Sequence, residues 1–175
     1  MRLAALLLGG GVWLAAAVAA PRAHAFEREW HLGAAVGAAG GKSLKVAPAL
    51  GAYAAYGVSD VFDVRLEMTL RGYEIAAGKN PYALSTMAGL TYKLDVLRWV
   101  PWAGVYVGYL AFLGNPPPDF AFKKRDVALG VGAGLDYAFS RDFGCGATVR
   151  VDDSLAAAGG SSWESLLRVE YRWGW

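Results

Sequence analysis

The chain has 175 residues, 55% of them hydrophobic, with 17 basic against 15 acidic side chains. That balance gives no basic footprint for nucleic acid. The single cysteine, Cys145, excludes an internal disulfide and leaves a metal site without thiolate partners.

The first predicted element is a leader. Arg2 precedes an apolar run from Leu3 to Ala20, Pro21 breaks any helix, and Ala23-His24-Ala25 has the small-x-small pattern of a signal-peptidase site. Residues 1–25 are therefore expected to be a cleaved signal peptide and residues 26–175 one mature domain beginning at Phe26. The other reading is an uncleaved anchor, because the run is nearly long enough to span a bilayer. No cysteine lies near the cut to take an acyl chain. Cleavage removes Arg2 and Arg22 and no acid, leaving a formally neutral mature chain. Beyond the leader no run of eighteen apolar residues remains for a transmembrane helix. A closed barrel is the other way to satisfy a backbone in lipid.

Period-two alternation then predicts eight strands. Residues 28–38 put Trp30, Leu32, Ala34 and Val36 on one face, and residues 44–58 do so with Val46, Leu50, Tyr56 and Val58. The third strand is the cleanest: Phe62, Val64, Leu66, Met68 and Leu70 alternate with Asp63, Arg65, Glu67, Thr69 and Arg71. Residues 82–94 follow with Tyr82, Leu84, Leu90, Tyr92 and Leu94. Residues 102–113 are apolar on both faces, so their facing stays open. Val127 to Phe139 alternates with Asp126, Gly130, Gly132, Gly134 and Asp136; Phe143 to Val151 alternates with Gly144, Gly146, Thr148, Arg150 and Asp152. Last, Trp163, Leu167, Val169, Tyr171, Trp173 and Trp175 oppose Glu164, Arg168, Glu170 and Arg172. Strands of this length suit a tilted crossing of a hydrocarbon core.

Short turns at 57–60 and 140–142 alternate with longer segments around 74–81, 114–125 and 152–162, as periplasmic turns and outer loops do. The short connection at Gly40–Ser43 and the long one from Asp95 to Pro101 depart from the pattern. An even strand number puts both termini in the periplasm. Trp30, Tyr56, Phe62, Trp99, Trp102, Phe139, Phe143, Trp173 and Trp175 gather near predicted periplasmic strand ends, where amphipathic rings mark a membrane interface.

The ending Leu167-Arg168-Val169-Glu170-Tyr171-Arg172-Trp173-Gly174-Trp175 resembles the C-terminal signal of outer-membrane proteins, with Tyr171, Trp173 and Trp175 as its aromatic positions. The mature chain is similar in layout to the OmpA-like eight-stranded superfamily. That resemblance implies an all-β, eight-stranded antiparallel transmembrane β-barrel with an up-and-down meander, in the outer membrane of a Gram-negative bacterium. It also implies recognition by the barrel-assembly machinery during biogenesis. The peptidoglycan-binding domain that some members append is not seen.

An eight-stranded barrel is just wide enough for side chains to fill. The inward charges Asp63, Arg65, Glu67, Arg71, Asp136, Arg150, Arg168, Glu170 and Arg172 are expected to form a lumenal polar network, with Glu67 meeting Arg150 or Arg168 across the barrel. Glu164 is placed at the outer rim, in solvent. Such a network is either a structural plug or a narrow ion path. Catalysis is not expected: the mature chain's one histidine, His31, lies near the periplasmic end, a strand's length from Asp153-Ser154, too far for a base and nucleophile. Gly130-x-Gly132-x-Gly134 lacks the following helix of a dinucleotide site, so no cofactor is expected. Lys123-Lys124-Arg125, after the proline-stiffened Asn115 to Phe120, is either a lipopolysaccharide contact or an ordinary solvated loop. The expectation is a non-enzymatic outer-membrane protein with an envelope-structural or surface role and outer-membrane lipid as its surroundings. A narrow channel or carrier for small solutes is the alternative.

Overall fold

In a tilted strand whose one face meets lipid and whose other face meets a closed interior, side chains must sort by alternation. The computed structural model describes residues 28–42, 44–72, 82–94, 98–113, 125–155 and 160–174, and it sorts them that way. Eight strands follow in chain order: β1 (Trp30–Gly41), β2 (Leu44–Gly57), β3 (Phe62–Gly72), β4 (Tyr82–Lys93), β5 (Trp99–Leu113), β6 (Arg125–Ala138), β7 (Phe143–Ser154) and β8 (Ser161–Trp173). Each pairs antiparallel with its neighbours, and β1 pairs with β8 from Trp30↔Trp173 to Gly41↔Ser162, which closes the barrel. Closure leaves no free sheet edge. The predicted leader and Phe26 lie outside the described residues.

Burial is inverted relative to a water-soluble domain. Val105 and Val131 are each 61% exposed, whereas Arg71 is 0% and Arg150 2% exposed. Large apolar residues cover the outside on every strand, and most of the strand charges turn inward. The facing of β5, open in the sequence, is settled: Val105, Val107 and Tyr109 point out, while Trp102, Tyr106, Leu110 and Phe112 are buried.

Two connections share one construction. Ser59 and Ser140 each stand three residues before a phenylalanine, and their hydroxyls accept from the backbone N–H of Phe62 at 3.1 Å and Phe143 at 3.0 Å. Such local hydroxyl bonds stabilise tight turns. These turns, Leu94 and Arg98, and the described ends at Arg28 and Gly174 share one end of the barrel, the turn end; the other is the loop end. Pro101 belongs to β5, where its carbonyl accepts from Leu94 N–H at 2.9 Å, so the expected long connection from Asp95 to Pro101 is shorter. Likewise β7 runs to Ser154 and β8 begins at Ser161, which draws Asp152 and Ser162 out of the expected loop and into the wall.

Exposed aromatic rings crowd the turn end. Trp30 meets Tyr56 at 4.8 Å between centroids, Phe143 meets Tyr171 at 5.1 Å, and Tyr171 stacks near Trp173 at 5.6 Å. Trp102 does not belong to this belt. It is buried in the lumen against Met87 and Tyr106, because alternation from the exposed Trp99 points residue 102 inward. Trp175 lies outside the described residues.

Candidate functional site: the charged lumen

Small residues on one wall make room for large ones on the other. A Cβ on Gly33 would stand 2.2 Å from the Tyr53 ring, on Gly89 2.4 Å from Tyr106, and on Gly134 2.5 Å from Trp102. Each glycine is the direct cross-strand partner of its ring. The three aromatics therefore lie flat over the neighbouring strand and form the middle storey of the lumen.

Above them, toward the loop end, two arginines and three acids interlock. Arg71 Nη2 reaches Asp152 Oδ2 at 2.6 Å and Glu164 Oε2 at 2.8 Å. Arg150 reaches Asp152 Oδ1 at 2.9 Å and Glu164 Oε1 at 3.0 Å, and its third nitrogen pairs with Glu67. Asp152 and Glu164 thus each bridge both guanidiniums. Charges removed from water persist only with this kind of pairing. The placement of Glu164 corrects its expected solvated position: it is 1% exposed, because the loop end above it is closed by Leu44, Leu110 and Phe112 among small alanines. Water is kept from the acid that strand counting puts at the rim.

Below the aromatics, Arg168 forks onto Asp136, with Nε to Oδ1 at 2.8 Å; Arg172 Nε donates to Glu170 at 2.7 Å; and Lys93 Nζ lies 2.7 Å from Asp63. Tyr53 donates its hydroxyl proton to Glu170 at 2.8 Å. His31 sits between two carboxylates, 3.5 Å from Glu170 and 3.5 Å from Glu29. Just outside β1, burial pushes the Glu29 carboxyl above its ordinary range, opposed by His31, Arg172 and Lys93.

The nine residues named from the sequence all lie buried inside the barrel. Glu67 meets Arg150; Arg168 instead pairs with Asp136. Sequence reasoning left out Asp152 and Glu164, which bridge the upper pair, together with Lys93, Asp126, Tyr53 and Tyr106. Their alternation parity was the available signal, since each shares its strand's inward phase. Of the basic loop cluster, Arg125 is exposed at the start of β6, and Lys123 and Lys124 lie outside the described residues. Ser154 bonds Asp126 at the loop end, whereas His31 sits beside Arg172 at the turn end. No group of three or more His, Cys, Asp or Glu suited to a metal ion occurs among the described residues.

What room remains is small. The void near His31, Arg65 and Trp102 and another near Tyr53 and Arg168 each offer about 10 Å³ to the centre of a water molecule. A water needs roughly that much.

The barrel resembles those of solved outer-membrane proteins. Outer membrane protein OprG from Pseudomonas aeruginosa superposes with a TM-score of 0.67 at 11% identity, over 87% of this chain and 100% of that one. Neisserial surface protein A gives 0.69 at 17% identity, over 81% and 96%. The N-terminal barrel domain of Pseudomonas aeruginosa OprF gives 0.61 at 17%, over 84% and 98%. No protein-family model matches the sequence, and no curated protein matches it. At these identities the likeness is one of architecture: the chain has the fold of the eight-stranded outer-membrane β-barrels.

Proposed function

We propose that this protein is an integral barrel of the Gram-negative outer membrane, non-enzymatic, whose lumen is a closed polar plug and whose role is envelope structure or surface interaction. In this reading the mature chain begins at Phe26, the turn end and both termini face the periplasm, and the barrel-assembly machinery recognises the aromatic C-terminus. Outer-membrane lipid surrounds the belt, and lipopolysaccharide phosphates meet the basic residues near Arg125. The observation that carries the plug is the bridging of Arg71 and Arg150 by Asp152 and Glu164, with Glu67 joining from the opposite wall. An ion on this path would have to break several desolvated charge pairs at once. The separation of His31 from Ser154, at opposite ends of the barrel, supports the absence of an acyl-transfer site. Planar-bilayer recording of the refolded barrel tests the plug. A silent bilayer is expected; discrete unitary steps would replace the plug with the narrow channel.

A further inference from the structure

Among the described residues, Arg65 is the lumenal cation without a short ion pair to a carboxylate. Its Nη1 stands 3.6 Å from Glu67 Oε1, beyond hydrogen-bond reach, and the short bond of that carboxylate goes to Arg150. Its guanidinium lies over Trp102 at 4.3 Å and Tyr53 at 5.1 Å, and Arg168 occupies the same two rings at 4.6 and 5.0 Å. Two like charges therefore share one aromatic pair. Arg65 is 3% exposed, yet its Nε and Nη1 have no hydrogen-bond partner; neither has the indole Nε1 of Trp102, a residue 5% exposed. Both side chains line the same void on the turn-end side of the aromatics, the one that offers about 10 Å³ to the centre of a water molecule.

The acids beside that void are engaged elsewhere. Asp63 holds Lys93, Asp136 holds Arg168, and Glu170 accepts from Arg172 and Tyr53. Guanidinium and indole N–H groups can only donate, so their missing partner must accept. A water would accept from about two of the three donors and bring two protons of its own to place. A halide has no proton to place and sets a negative charge beside Arg65. The narrow room favours a monatomic anion over phosphate or a carboxylate.

We propose that the void lined by Arg65 and Trp102 binds one monatomic anion, chloride in the cell, which gives Arg65 the close counter-charge that no carboxylate supplies. The proposal rests on the plug reading, but its test is separate. Crystals of the refolded barrel soaked in sodium bromide should show an anomalous peak within hydrogen-bond distance of Trp102 Nε1 and Arg65. In detergent, the Tm of the wild-type barrel should rise with the logarithm of chloride relative to sodium gluconate at equal ionic strength, as a ligand of the folded state requires. Trp102→Phe, which removes one donor and keeps the ring, should lose most of that rise. A void without anomalous signal would overturn the site even if the variant fails to fold. So would an equal chloride response in wild type and Trp102→Phe. A silent bilayer together with an empty bromide map would reject the anion and keep the plug.

Discussion

At the scale of single residues, the described carboxylates differ in how they are held: some pair with arginines, and Glu29, just outside β1, is held poorly. Glu67 belongs to the first kind, and so does Glu164. Removing one partner of a buried ion pair strands the other and costs about 3 to 5 kcal/mol, less where water can enter. Glu67→Ala and Glu164→Ala should both lower the urea-unfolding free energy of the micelle-refolded barrel by an amount of that order. Asp153→Ala, on the exposed side of β7, should change it by less than about 1 kcal/mol. Equal losses for all three would mean that the inward charges are not paired. Glu29 is the second kind: its Oε2 has no hydrogen-bond partner, and burial raises its folded pKa. The folded barrel then binds a proton that the unfolded chain has already released, so stability falls as pH rises from about 4.5 through the higher folded value. Glu29→Gln should flatten that slope and gain stability at neutral pH. Urea titrations of both proteins at several pH values measure it; parallel curves would refute the strain at Glu29.

At the scale of the strand, stability depends on glycines set under aromatic rings. Gly89 has the Tyr106 ring 2.4 Å from where its Cβ would stand, while at Gly72 the nearest atom is 3.5 Å away. Gly89→Ala should therefore cost about 1 to 3 kcal/mol by overpacking, and Gly72→Ala, in ordinary contact, should be close to neutral. Comparable unfolding midpoints for the two variants would show that Tyr106 moves aside freely. The same interlock explains what the sequence could and could not convey. In β3, polar and apolar residues alternate from Phe62 to Arg71, so its facing is legible from the sequence alone. In β5 both faces are apolar, one for lipid and one to cover Gly89 and Gly134 on the adjoining strands. That reason exists only once register is known. Trp102 looks like a rim indole for the same cause, since it stands three residues from a true one, Trp99. Glu164 was misplaced by a different route: counting along β8 gives its height, but the dryness of that height comes from Leu110 and Phe112 of β5 and Leu44 of β2. Pairing partners among the charges were legible only as far as opposite strands could be inferred, which found Glu67 with Arg150 and missed Asp152.

At the scale of the whole molecule, outward aromatics measure the thickness of the surroundings. Tyr82 and Tyr92 on β4, Trp99 and Tyr109 on β5, and Trp163 and Trp173 on β8 are each about ten residues apart, or roughly 34 Å of strand. A tilt of about 40 to 45° reduces that to a height of about 25 Å, the apolar band of an outer-membrane barrel. The midpoint on β5 falls beside Val105, which faces outward between Leu90 and Val131. If the belt lies in lipid, a cation at this level must be drawn into hydrocarbon. Val105→Arg should then cost about 2 to 4 kcal/mol in barrels refolded into phospholipid vesicles, and Leu113→Arg, at the loop-end rim of the same strand, about 0 to 1. A barrel whose outside faced water would show no such ranking: both substitutions near neutral, and the protein more soluble without detergent. Reversible urea unfolding from vesicles, read by tryptophan emission, separates the cases. The difference between the two variants carries the test, because both place the same side chain on the same exposed face and only depth distinguishes them. A difference below about 1 kcal/mol would remove the membrane from the account of this barrel.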